Sequence, residues 1–250
     1  MFTQVLSPPP PIADYISYKI VLEEPHLPHD LVIPFIANSY PGIVFQSTGD
    51  RQDLLLYGQT VQPIDFHATG QLTIIAYFIY PPLLRAFFGF DAKEWTDKQL
   101  DLDLLPSARG LRERLGNAPT LEARMQLMDN YILQLANTSP CDANNALVYA
   151  TRRIQKANGL ISLQELQQEL YVTERTFQRL FEAHVGVTPK MFRKICQFDA
   201  AFRQLNQRSF TRLADIAYAH DYADPSHFIR IFREFTGRSP REYLKGYPDF

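Results

Sequence analysis

The side chains of this 250-residue chain that could do chemistry fall into three groups. The first is histidine and cysteine. His26, His29 and His67 are the only histidines before residue 140, and His26-Leu-Pro-His29 lies in a proline-rich loop without the close His, His, Glu grouping of a metal site. Neither a metal nor a cofactor is expected. Cys196 stands between apolar neighbours in a helical run, which predicts a buried, inert thiol, and Cys141 has no histidine near it in sequence. Without a glycine-rich phosphate loop, a serine nucleophile elbow or a helical zinc motif, the chain does not read as an enzyme. The second group is aromatic. Phe45, Tyr57, Phe66, Tyr77 and Trp95 could line a small apolar pocket, although aromatics at strand spacing more often fill core. The third group is polar and cationic: Arg175, Gln178 and Arg179, then Ser226, His227, Arg230 and Arg233. These are side chains that reach phosphates and base edges.

What positions them is a chain of two unlike halves. An apolar content of 46% closes a core, and 18 Phe and 13 Tyr argue against disorder. Cut near residue 140, the first half carries nine Lys and Arg against fifteen Asp and Glu, and the second sixteen against twelve. A basic half beside an acidic one suggests a polyanion-binding module joined to a partner with another task. With two cysteines and no secretory segment after Met1, a reducing cytoplasm is the expected compartment. The longest apolar stretch, Leu72 to Phe90, is interrupted by Pro81-Pro82 and contains Arg85, which suits a strand and then a helix rather than a membrane span.

The first half predicts strands over Tyr18 to Leu22, Leu31 to Ala37, Ile43 to Gln46, Leu54 to Tyr57 and Leu72 to Tyr80, with turn residues between them. Thr73 to Tyr80 is apolar on both faces, so one face is expected to point into a barrel and the other to lie under the helices that follow, beginning at Pro82 and Thr120. The second half needs no strand. Ser162 to Leu170 and Thr211 to Ala219 each open on a hydroxyl able to cap a helix, and Leu163 and Leu213 are equivalent, 50 residues apart. Each is followed by a tight turn and a second helix, Thr173 to Ala183 or Asp224 to Phe235. Phe177, Leu180 and Phe181, then Phe228, Ile231, Phe232 and Phe235, form the inner faces, leaving the arginines outward. Pro189 to Asn206 reads as one joining helix about 27 Å long, of a size to hold two reading helices in major grooves about 34 Å apart.

Residues from about Asn145 to Leu244 resemble the DNA-binding domain of AraC-family bacterial transcription regulators. The resemblance rests on Ser162-Leu163, Glu165-Leu166, Glu174-Arg175-Thr176, Gln178 to Phe181, Gly186, Thr188-Pro189, Leu213 to Ala217, Ser226 to Arg230, Thr236-Gly237, Ser239-Pro240 and Tyr243. It implies seven helices in two helix-turn-helix units, with base contacts carried by Arg175, Thr176, Gln178 and Arg179 in the first and by Ser226, His227 and Arg230 in the second. Departures fall at Gln167, where the family usually has a small residue, and at Tyr171 and Asp221, which replace glycine at the turns.

Tyr57 to Pro63, Phe66 to Gly70 and Pro82 to Asp97 look like a sensor-type domain that precedes the AraC module in many bacterial regulators, which the resemblance makes a cupin-like barrel with helices. The expected fold is therefore α+β in two domains. Residues 1–140 form a cupin-like β-barrel with packed helices for effector binding or dimerisation, and residues 141–250 an all-α double helix-turn-helix. The expected function is a cytoplasmic, nucleoid-associated, sequence-specific regulator. Its partners are promoter DNA, RNA polymerase, a small-molecule effector and a second copy of the chain. The alternative is a DNA-targeted enzyme with a catalytic N-terminal domain.

Overall fold

A computed structural model of the chain describes residues 2–27, 31–49, 51–139 and 143–246, so His29 and Cys141 lie outside the described residues. Among the described residues the first half holds eight strands: β1 (Phe2–Leu6), β2 (Ile16–Glu24), β3 (Leu31–Phe35), β4 (Gly42–Thr48), β5 (Arg51–Tyr57), β6 (Ile64–Ala68), β7 (Leu72–Ile79) and β8 (Gln99–Asp101). Six of them make one antiparallel sheet in the order β1-β2-β7-β4-β5-β8, and β3 pairs with β6 as a separate two-stranded ribbon. The helices are α1 (Leu83–Phe88), α2 (Leu111–Asn117) and α3 (Leu121–Thr138), the last capped by Thr120, whose hydroxyl accepts from the Ala123 N–H.

The expected closed barrel is not what this pairing gives. Strand β7 is apolar on both faces because it lies inside the sheet, between β2 and β4, with a layer on either side. Ile75, Tyr77 and Ile79 join Ile43, Phe45, Leu54 and Leu56 in a core shared with Leu84, Phe87, Leu115 and Ile132 of the helices. The alternate residues Ile74 and Ala76 join Val44 and Leu22 in a second core closed by Ile33 and Ala68 of the ribbon. One buried polar group crosses the helix side: Lys19 on β2 reaches Asp129 on α3 at 3.4 Å, and the Tyr77 hydroxyl donates to the same carboxylate at 2.6 Å.

The second half is helical among the described residues: α4 (Asn145–Lys156), α5 (Leu163–Glu169), α6 (Glu174–Val185), α7 (Pro189–Asn206), α8 (Leu213–Ala219), α9 (Pro225–Thr236) and α10 (Pro240–Gly246). Two cores divide it, and α7 belongs to both. Phe192 and Cys196 pack with Phe177 and Phe181 of α6 and Leu166 of α5, whereas Ile195, Phe198 and Leu205 pack with Ile216 of α8 and with Phe228, Phe232 and Phe235 of α9. Each core thus closes one helix-turn-helix pair. The two turns match in their bonds. Val172 N–H donates to the Gln167 carbonyl and Tyr222 N–H to the Ala217 carbonyl, at 3.1 and 3.0 Å. Tyr171 and Asp221 sit at φ of 54° and 56°, the left-handed conformation that favours glycine. Tyr171 is 96% exposed, so nothing packs against it to offset the strain. One expectation fails at α8: Thr211 does not cap it. The position equivalent to Ser162 is Arg212, and the helix start is closed instead by the Asp215 carboxylate, which accepts from the Arg212 N–H at 2.7 Å.

Candidate nucleic-acid interface

Local chemistry fixes where α6 and α9 begin. Thr173 caps α6 by accepting from the Thr176 N–H, and Asp224 caps α9 by accepting from the His227 N–H at 2.8 Å, with Pro225 at the first helical position. The apolar stripes then fix rotation. Phe177 and Phe181 turn one face of α6 inward, Phe228, Ile231, Phe232 and Phe235 do so for α9, and both helices are strongly amphipathic.

That rotation leaves Arg175, Gln178 and Arg179 exposed on α6 and Ser226, Arg230 and Arg233 exposed on α9, with Thr176 and His227 half-buried beside them. Among the described residues, none of these four arginines is held in a hydrogen bond or ion pair, in contrast to Arg153, Arg112 and Arg212, each tied to a carboxylate. An unpaired guanidinium keeps all five of its donors available to phosphate or to a guanine edge. The polar neighbours are more constrained. The His227 ring stands edge-on to the Tyr222 ring, with centroids 5.5 Å apart. Gln178 donates from Nε2 to Glu182 at 3.1 Å.

Glu182 is a carboxylate bonded to Gln178 on this face of α6, and a residue that no sequence pattern marks deals with its charge. Lys93, in the short turn of 3-10 helix at Ala92–Trp95, places its Nζ 2.7 Å from the Glu182 carboxylate. The hydrogen bond from Lys93, helped by Gln178, holds Glu182 below the usual carboxylate range, and Lys93 itself is raised by the same bond. Lys93 and Glu182 are 89 residues apart, too far for a local signal to link them.

The five aromatics expected around a ligand pocket do not converge. Phe45 and Tyr77 are fully buried in the core beneath the helices, and Tyr57 and Phe66 flank Phe35 on the opposite, ribbon side of the sheet. Trp95 stacks on Phe90 at the edge of the first half, 4.8 Å between centroids. Strand parity is the reason, since side chains on one strand alternate between two separate cores. Neither of the two described surface cavities is lined by any of the five. Cys196 is 3% exposed, and burial pushes its thiol well above the ordinary value, so it is a protonated core residue. His26 and His67 are exposed, and among the described residues no group of three or more His, Cys, Asp or Glu side chains stands close enough to hold a metal ion. Among the same residues, no helix is long and apolar enough to cross a membrane.

Comparison with known proteins matches each half separately. Residues 166–246 match a helix-turn-helix domain family of AraC type, and residues 4–101 match a domain of unknown function, DUF6597. The transcriptional activator RhaS of Salmonella dublin is 26% identical over 172 residues, which cover 63% of this chain and 59% of RhaS; RhaS of Salmonella newport matches to the same extent. The chain therefore spans under two thirds of the length of these curated relatives. Among solved structures, ToxT from Vibrio cholerae superposes with a TM-score of 0.54 at 10% identity, over 91% of this chain and 97% of ToxT, a likeness of fold. A second ToxT structure gives 0.53 at 10% identity, over 98% and 99%. Residues 166–246, two helix-turn-helix pairs in two cores joined by one helix, are thus similar to the AraC-type helix-turn-helix domain, and they follow a segment that matches a domain of unknown function.

Proposed function

We propose that the chain is a sequence-specific DNA-binding transcription regulator that sets α6 and α9 into successive major grooves. The observation that carries this reading is the pair of outward faces bearing Arg175 and Arg179, and Arg230 and Arg233, whose guanidiniums make no hydrogen bond or ion pair among the described residues. Its chemistry divides in two. Lysines and arginines attract the phosphate backbone in a salt-dependent way, and Arg175, Thr176, Gln178, Arg179, Ser226, His227 and Arg230 discriminate bases, with Arg233 beside them. Residues 141–250 are the DNA-binding unit, and residues 1–140 bias its action by taking a small-molecule effector or by pairing with a second copy. ToxT has been solved with (E)-4-(8-methylnaphthalen-1-yl)but-3-enoic acid bound, which makes a small organic effector the first class to try here. The reading places the protein in the cytoplasm on the nucleoid, with RNA polymerase as the protein partner at the promoter. It assigns the chain no catalytic step.

The test is a pair of substitutions, Arg179→Ala and Arg230→Ala, measured on a selected duplex and on random DNA. Each variant is expected to lose about 1 to 3 kcal/mol on the selected duplex and much less on random DNA. Equal losses on both would reduce the two arginines to phosphate contacts.

A further inference from the structure

The segments Tyr57 to Pro63 and Pro82 to Asp97, together with Ala37, meet the second half at the C-terminal ends of both reading helices. On α6, the Thr96 hydroxyl donates to the carbonyl of Gly186 at 2.7 Å, one residue beyond the helix end, next to the Lys93 to Glu182 ion pair. The seat is tight: a Cβ on Gly186 would stand 2.9 Å from both the Ala92 carbonyl oxygen and Thr96 Oγ1. On α9, the Ala37 N–H donates to the carbonyl of Phe235 in the last turn, at 3.2 Å, and Ala37 is fully buried in the core of the second unit. Between these points lies Val61, which packs against the cores of both units.

The wedge carrying Val61 is itself rigidly built. Val61 and Gln62 donate their N–H groups to the Asp97 carboxylate at 2.7 and 3.0 Å, and Asp97 donates its own N–H to the Gln59 carbonyl. At Gly58, a Cβ would fall 1.9 Å from the Trp95 carbonyl oxygen, so the two loops are pressed backbone to backbone.

We propose that the N-terminal unit is a cross-brace that, together with α7, fixes the separation of α6 and α9, and so determines which spacing between two DNA half-sites the protein accepts. The proposal rests on the DNA-reading role given above and adds what sets its geometry. Helix α7 packs into both units, and holding the C-terminal ends of both reading helices on one rigid body adds a second connection that limits how far the two can shift apart.

The experiment uses the full chain. Spin labels at Glu174→Cys on α6 and Ser226→Cys on α9, with Cys141→Ser and with Cys196 left buried, report the distance between the reading helices without DNA. The brace is loosened by Val61→Ser with Thr96→Val, and far-UV circular dichroism and thermal unfolding check that the variant is folded. Thr96→Val alone, which removes one hydroxyl and almost no volume, is the milder step. In the unaltered background one narrow distance is expected, and the loosened chain is expected to give a broader distribution. On duplexes carrying both selected half-sites at their natural spacing or with one, two or five base pairs inserted, the unaltered chain is expected to lose about tenfold or more on insertion, because one unit can no longer reach its bases. The loosened chain is expected to lose only about twofold to threefold, the cost of a slack linker with both units still engaged. Unchanged distances, or an unchanged spacing penalty in the loosened chain, would mean that α7 alone sets the geometry and would overturn the brace. Absence of sequence-specific binding by the unaltered chain would instead overturn the DNA reading, and the spacing role with it.

Discussion

Replacing Asp199 by asparagine is expected to stabilise the protein at neutral pH although it removes a charge from an apparently useful contact. Asp199 lies on α7 and its Oδ2 accepts from the Ser39 N–H at 3.0 Å, joining the two halves. Around it stand the Tyr18, Tyr40 and Tyr222 phenols and the Cys196 thiol, which its charge raises further, and only Arg203 favours the ionised form by its charge. Burial dominates and pushes the carboxyl from 3.8 up to about 7. Proton binding sets the sign. Between pH 4 and 7 the folded protein binds more protons at this site than the unfolded chain, so stability falls as pH rises, and above about pH 7 the loss is complete. At roughly 1.4 kcal/mol per pH unit, the full loss is about 2 to 4 kcal/mol, the lower figure allowing for the water that reaches this partly exposed residue. An asparagine at this position would keep an acceptor for the Ser39 N–H and would not titrate. Urea unfolding of both proteins from pH 4.5 to 8 measures the difference, in which other titrating groups cancel. The Asp199→Asn protein should be about equally stable near pH 4.5 and more stable by about 2 kcal/mol or more at pH 7.5. Parallel curves would refute the reasoning and place the carboxylate in a well-solvated, ionised state.

Three further outcomes follow from the same geometry. Tyr171→Gly relieves a left-handed conformation worth about 1 to 2 kcal/mol and adds about 0.4 to 1 kcal/mol of unfolded-chain entropy. Because the tyrosine side chain is exposed and its removal opens no hole, a net gain of up to about 1.5 kcal/mol is expected by thermal unfolding. Lys93→Ala leaves the Glu182 carboxylate uncompensated beside Gln178 and Arg179, so binding to a duplex carrying both half-sites should weaken by about threefold to tenfold, and more at low salt. The double change Lys93→Ala with Glu182→Gln should restore most of that loss. Phe232→Ala opens a hole in the core of the second unit, where the ring meets Phe198, Phe228 and Tyr243, and should cost about 3 to 5 kcal/mol by urea unfolding.

Much of this architecture was legible because the relevant signals are local. Ser162, read as a helix cap, accepts from the Glu165 N–H at the start of α5, and α3, α6 and α9 begin beside Thr120, Thr173 and Asp224, where the sequence starts them. Strands β2, β4, β5 and β7 follow from β-rich runs between turns, whereas β8 has only three residues and β1 precedes a proline run, too little pattern for either. The barrel expectation failed for a reason of layers. A strand apolar on both faces signals that both are covered, and the pattern is the same whether the second cover is the far wall of a barrel or a separate ribbon. The outward residues of α6 and α9 were readable from helical period, and their arginines stand where that period put them. The contacts that tie them to the first half were not. Lys93 to Glu182, Thr96 to Gly186 and Ala37 to Phe235 join residues far apart in the chain, and no local pattern pairs them. The aromatic pocket failed through parity, because the pairing register that assigns Phe45 to one face and Tyr57 to the other cannot be read from single strands.

The most direct test of the account is selection of bound duplexes from a random DNA pool by the full chain at near-physiological salt. Two short motifs about one helical turn apart, about 34 Å, are the expected result, one for α6 and one for α9. Recovery of no enriched motif, with binding that simply fades as salt rises, would contradict it and leave the two arginine-bearing faces as phosphate contacts alone.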